Sequence, residues 1–100
     1  MISSVSDPSE SDGAKFPTGS IVATRGILEV VPMDEIRRAL IRHISGDWGN
    51  LDKEDKASND RALIEGARLF SAYNSESNVR FWIITEADRS ATTVLLPSEY

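Results

Sequence analysis

The chain has one histidine, His43, standing four residues before Asp47 with Ser45 between them. An imidazole within hydrogen-bonding reach of a carboxylate forms an acid–base dyad, and a neighbouring hydroxyl is a nucleophile for it to activate. Gly46 falls inside this spacing and interrupts the helical geometry that would bring the pair together. The sequence therefore favours the other role for His43, a cation at a helix end interacting with the dipole.

A second constellation is acidic. Asp47, Asp52, Glu54, Asp55 and Asp60 lie in one segment and carry the oxygen donors that hard cations take. Their spacing departs from the calcium-loop pattern. Counted from Asp47, Gly49 and Leu51 stand at ligand positions and Ser58 replaces the bidentate glutamate. Counted from Asp52, Lys56 and Leu63 do the same. Lys53 and Lys56 are interleaved with the acids, as on a solvated helix start. A small metal-dependent hydrolase would need more carboxylates, and Glu86 and Asp88 are the strand-end candidates. No cofactor or metal is expected. Trp48 sits beside these acids, between Gly46 and Gly49. It either tucks into the core or anchors a partner, with Asp47, Asp52 and Asp55 on the rim.

Other chemistries are excluded by composition. With no cysteine there are no disulfides, thiolate metal sites or cysteine nucleophiles. No G-x-S-x-G, H-E-x-x-H or S-x-x-K pattern occurs, and no glycine-rich phosphate loop. Arg37, Arg38 and Arg42 make one basic helix face, but Asp34 and Glu35 offset it and the net charge is −5. No nucleic-acid partner is expected. No apolar run approaches the roughly 20 residues of a membrane span, and the start lacks signal-peptide character. The expectation is a cytoplasmic protein with no membrane partner.

The elements that must position these residues follow from patterning. The 100 residues suit a single domain. Residues 1–18 are rich in Ser, Asp, Gly and Pro, carry a net charge of −2 and read as a disordered acidic tail. Phe16 either docks on the domain or marks the end of a leader, and the domain spans residues 19–100 with a net charge of −3. Ser20–Thr24 reads as a strand ended by Gly26. Ile27–Val31 fits a helical turn or a second short strand. Pro32–Ile44 is a helix with Met33, Ile36, Leu40, Ile41 and Ile44 on its apolar face. Asp52 caps a second helix running to about Gly66. Leu69–Tyr73 and Val79–Thr85 form a hairpin, though a continued helix through Tyr73 is the alternative for the first segment. A second hairpin turns at Ala87–Ser90, and Pro97 ends the last strand. The predicted fold is α+β, an antiparallel four-stranded sheet with two helices on one face, in the order β-α-α-β-β-β.

Val79–Glu86 is apolar on both faces. Trp82 and Ile84, on the second face, are covered by Ile27–Val31 or the C-terminus, or else they form a homodimer or partner surface. The strand–helix–helix–three-strand order resembles the toxin endoribonucleases of toxin–antitoxin pairs. Those are basic, whereas here Arg80 and Arg89 are the only basic residues on the last strands, so the analogy fails on charge.

The blocks SGDWG, LDKEDK, LFSAY and ITEADRS–TT–LLP resemble a family of small uncharacterised bacterial proteins met on plasmids, phages and other mobile elements. Some carry labels such as plasmid-related protein or restriction-system subunit. The resemblance covers about residues 20–100 and brings no catalytic residue with it. It implies a mobile-element accessory that inhibits or modulates a host defence system of restriction or CRISPR type. The expected function is a non-enzymatic protein-interaction module acting through Asp47, Trp48, Asp52 and Asp55 on the loop and Trp82 and Ile84 on the sheet.

Overall fold

The structure, a computed structural model, describes residues 13–100. It is an α+β fold built on one four-stranded sheet. The elements are β1 (Ser20–Ala23), α1 (Arg25–Val30), α2 (Met33–Ile44), α3 (Lys53–Glu65), β2 (Leu69–Asn74), β3 (Arg80–Thr85) and β4 (Ala91–Leu95), then a 3-10 turn, Pro97–Glu99. The sheet order is β1-β4-β3-β2. β2–β3 and β3–β4 are antiparallel hairpin pairs, and β1 runs parallel to β4.

Two expectations are corrected. The sheet is mixed, not antiparallel, and three helices precede β2 where two were expected. The parallel pair follows from Gly19. Its φ is +65°, and a Cβ there would fall on the backbone of Ser90. The chain thus lies against the β3–β4 turn, Ser20 N–H donates to the Ser90 carbonyl (3.0 Å), and β1 sets off beside β4 in the same direction. The additional helix resolves the Ile27–Val31 alternatives. Thr24 ends β1 and caps α1, its hydroxyl accepting from Ile27 N–H and donating to Glu99. Gly26 lies inside α1 rather than ending the strand.

α2 starts after Pro32 and stops before Gly46, which has φ +85°. Its buried stripe is Ile36, Ala39, Leu40, His43 and Ile44. Ile41, placed on that stripe from the sequence, is 52% exposed, and His43 takes its place. Asp52 caps α3, accepting from Asp55 N–H (2.8 Å), and Gly66 closes it in the left-handed conformation. Leu69–Asn74 is a strand and does not continue α3.

One sheet face carries the core. Ile27, Ile36 and Leu40 from the helices meet Phe81, Ile83 and Val94, and a second cluster joins Ile44, Trp48, Ala62 and Leu69. Residues 1–12 of the expected tail lie outside the described residues. Residues 13–18 pack on the domain. Lys15 N–H donates to the Ile44 carbonyl (2.8 Å), Thr18 is buried, and Phe16 completes the second cluster. No helix among the described residues is long and apolar enough to cross a membrane.

Candidate functional site

His43 is not a helix-end cation. It is buried, its Nδ1 2.5 Å from Ser71 Oγ and its Nε2 2.9 Å from Thr85 Oγ1. Thr85 Oγ1 lies 2.8 Å from Thr92 Oγ1, and Thr92 donates to the Thr18 carbonyl (2.8 Å). That last bond sets the direction of the whole chain, since each hydroxyl has one proton to give. Thr92 gives its proton to Thr18, so Thr85 donates to Thr92. His43 Nε2–H then donates to Thr85, and Ser71 donates to Nδ1. His43 is neutral, with its proton on Nε2. Burial, reinforced by Arg89, pushes its pKa down to about 3. The Phe16 and Trp48 rings stand edge-on to it at 5.3 and 5.7 Å. A base so enclosed has no route to a substrate and serves to tie α2 to β2 and β3.

Asp47 does not approach His43. It takes two bonds from Arg42, at 2.7 and 3.2 Å, and one from Gly49 N–H. The Arg42 guanidinium holds its carboxyl below the usual range. Trp48 is 3% exposed. Its ring stacks on Phe16, and Nε1 donates to Asp60 (2.9 Å). Of the two roles offered for Trp48, the structure places it in the core, and the backbone around it is sewn to β2. Ala72 N–H donates to the Trp48 carbonyl and Asn50 N–H to the Ala72 carbonyl (2.7 Å), while Tyr73 OH donates to the Asp47 carbonyl (2.7 Å). Gly49 sits at this crossing with φ +74°, where a Cβ would strike the Ala72 oxygen.

The remaining acids are dispersed. Asp52 is occupied as a helix cap. Glu86 faces Arg68 at 4.0 Å. Asp88 accepts from Ser90 N–H in the β3–β4 turn. Among the described residues no group of three His, Asp or Glu side chains could hold a metal ion.

The second sheet face is different. Register places Phe70 opposite Ile84, Ala72 opposite Trp82, Ile84 opposite Thr93 and Trp82 opposite Leu95, so these side chains share one face. None belongs to either helix-packed cluster. The Trp82 ring meets Phe70 edge-on at 5.0 Å and Tyr100 at 5.8 Å. Arg68 lies over the Tyr100 ring at 5.1 Å. These four with Ile84, itself 5% exposed, line a cavity of about 260 Å³. Trp82 Nε1 is buried there with no hydrogen-bond partner among the described residues. A groove of about 430 Å³ shares Arg68 and Phe70 with that cavity and runs along α3 past Arg61 and Ser58 to Asp55.

The structure thus separates the six residues expected to meet a partner. Trp82 and Ile84 share a cavity, and Asp55 stands at the far end of the groove that adjoins it. Asp52 is next to Asp55 through its cap. Asp47 and Trp48 are turned to internal roles. Arg68, Phe70 and Tyr100 were missed. Phe70 was legible from strand alternation once Ile84 was assigned an outward face. Tyr100, without local periodicity, left no signal.

The chain matches no family model, no curated protein and no solved structure.

Proposed function

We propose that the chain is a non-enzymatic protein-interaction module whose contact surface runs from Trp82 over Phe70 to Asp55. The observation that carries this reading is the continuity of cavity and groove through Arg68 and Phe70. It gives an aromatic floor, an arginine and an acidic end on one surface. Tryptophan, tyrosine and arginine are the side chains most enriched at the energetic centre of interfaces. The unpaired Trp82 N–H adds a reason for occupancy. A buried donor without an acceptor costs about 1–3 kcal/mol, and a partner's carbonyl or carboxylate would remove that cost.

The process in this reading is the one implied by the resemblance of the sequence blocks to mobile-element proteins. The module would act as an accessory that inhibits or modulates a host defence complex of restriction or CRISPR type by binding a protein component of it.

The test is DNA cleavage by purified restriction and CRISPR effector complexes with the chain added. Wild type is expected to suppress cleavage by one of them. Trp82→Ala and the exposed Arg68→Glu are expected to relieve the suppression at least about tenfold, the loss of roughly 1.4 kcal/mol of binding. If no complex is bound or inhibited, or if both variants act like wild type, the reading is wrong.

A further inference from the structure

The two edges of the sheet are treated differently. On β2 the backbone groups that point away from β3 belong by alternation to Phe70, Ala72 and, at the strand's end, Asn74, and the first two residues are sealed. Asn59 takes Phe70 with both ends of its amide, accepting from Phe70 N–H (3.0 Å) and donating to the Phe70 carbonyl (2.5 Å). Trp48 and Asn50 take Ala72. A side chain and a loop thus cover Phe70 and Ala72, the middle of that edge, as a further strand would.

β1, at the other edge, has no such cover among the described residues. Ser20 N–H and Thr24 N–H donate to the Ser90 and Val94 carbonyls of β4. By alternation Val22 also faces β4, and the N–H and C=O of Ile21 and Ala23 point away from the sheet. No partner for those four groups occurs among the described residues. The strand reads Ser-Ile-Val-Ala, without the charge, proline or bulge that usually guards an open edge. Val22, whose side chain lies on the outer sheet face opposite Thr93, is 47% exposed.

We infer that β1 pairs with β1 of a second copy of this chain, antiparallel and centred on Val22. A two-fold axis through Val22 sets Ile21 opposite Ala23 of the second copy, and Ala23 opposite its Ile21. These are hydrogen-bonded pairs, so the four outward groups of each strand find their complements in four inter-chain bonds. Val22 meets its own copy in the intervening non-bonded pair, about 4.5 Å between Cα atoms, where side chains approach most closely. The outward groups are self-complementary about this axis, which is what an isologous contact requires. An extended segment of another protein would satisfy the same groups but gains nothing from the symmetry at Val22. The inference stands apart from the proposed partner surface, since it uses the edge and not the Trp82 cavity.

The experiment is the mass of the full chain in solution, by light scattering and sedimentation over a wide concentration range. Wild type is expected at twice 11.0 kDa. Two variants leave the β1–β4 bonds intact. Ala23→Pro removes one outward donor and no inward one, and proline is tolerated on the open side of an edge strand. Val22→Lys brings two like charges together at the axis. Both are expected to be monomeric wherever wild type is dimeric, with thermal unfolding still cooperative and shifted only by the lost association. A wild-type monomer at every concentration overturns the inference. So does a dimer that persists in both variants, or one that is lost in Trp82→Ala while Ala23→Pro retains it.

Discussion

His43 has been traded from the surface to the interior, and its titration follows from that. Its folded pKa of about 3 lies below the 6.5 of an exposed imidazole. Between those values the unfolded chain binds the extra proton and the folded chain does not. Stability is therefore fully present above the upper value and falls as pH is lowered through the window, with a limiting slope of about 1.4 kcal/mol per pH unit. Urea unfolding measured across mildly acidic pH checks this. In His43→Gln the slope above the carboxylate range is expected to vanish, even where absolute stability is lower. Asp47, held down by Arg42, adds loss in the same direction at more acidic pH. The sequence offered His43 as a helix-end cation because Arg42 precedes it at the end of α2. The contrary signal was its spacing from Ile36, Leu40 and Ile44, which places it within the buried stripe. What periodicity does not supply is the acceptor and donor set. Ser71 and Thr85 come from two different strands and meet His43 only through tertiary packing, and Thr92, on a third, reaches it through Thr85.

At the scale of elements, local chemistry was readable wherever a local bond decides the outcome. Asp52 as a cap, Gly66 as a stop and Pro32 before α2 all stand where residue preference puts them. The β2–β3 and β3–β4 hairpins follow from alternation and short turns. The parallel placement of β1 was not readable, because it depends on Gly19 meeting Ser90 across most of the chain. The same holds for Asn59. In a helix as polar as α3 it looks like one more solvated residue, yet it is buried and holds Phe70 from both sides. Asn59→Ala would leave a strand N–H and carbonyl without partners beneath α3. The expected loss is about 1–3 kcal/mol, read from the urea midpoint at unchanged m-value. Asp52→Ala, an exposed cap, is expected to cost only about 1 kcal/mol. A smaller loss at Asn59 than at Asp52 would show that the edge seal is dispensable.

For the molecule as a whole, the described chain ahead of β1 belongs to the packed unit. Phe16 closes the cluster that holds Trp48, Ile44 and Leu69, and the Thr18 carbonyl ends the hydrogen-bond chain that begins at Ser71. Phe16→Ala is expected to cost about 3 kcal/mol, and calorimetry would record it as a lowered transition temperature. Composition alone assigned these residues to a tail because Ser, Gly and Pro outweigh one phenylalanine. The aromatic sheet face was half legible. Trp82 and Ile84 showed in the alternation of β3, while the groove that links them to Asp55 exists only once α3 lies beside β2.

The seals on β2 also fix the valence of the sheet. A body with one open edge can join one neighbour and then is finished. A body with two open edges can go on adding neighbours without limit, as a rod. Asn59 and the Trp48–Asn50 segment thus decide between a closed pair and an unending array. They do so through α3 and its preceding loop, so a substitution that frees Phe70 from Asn59 leaves a sheet with two open edges. A cell making Asn59→Ala should yield insoluble material out of proportion to the modest stability the substitution removes.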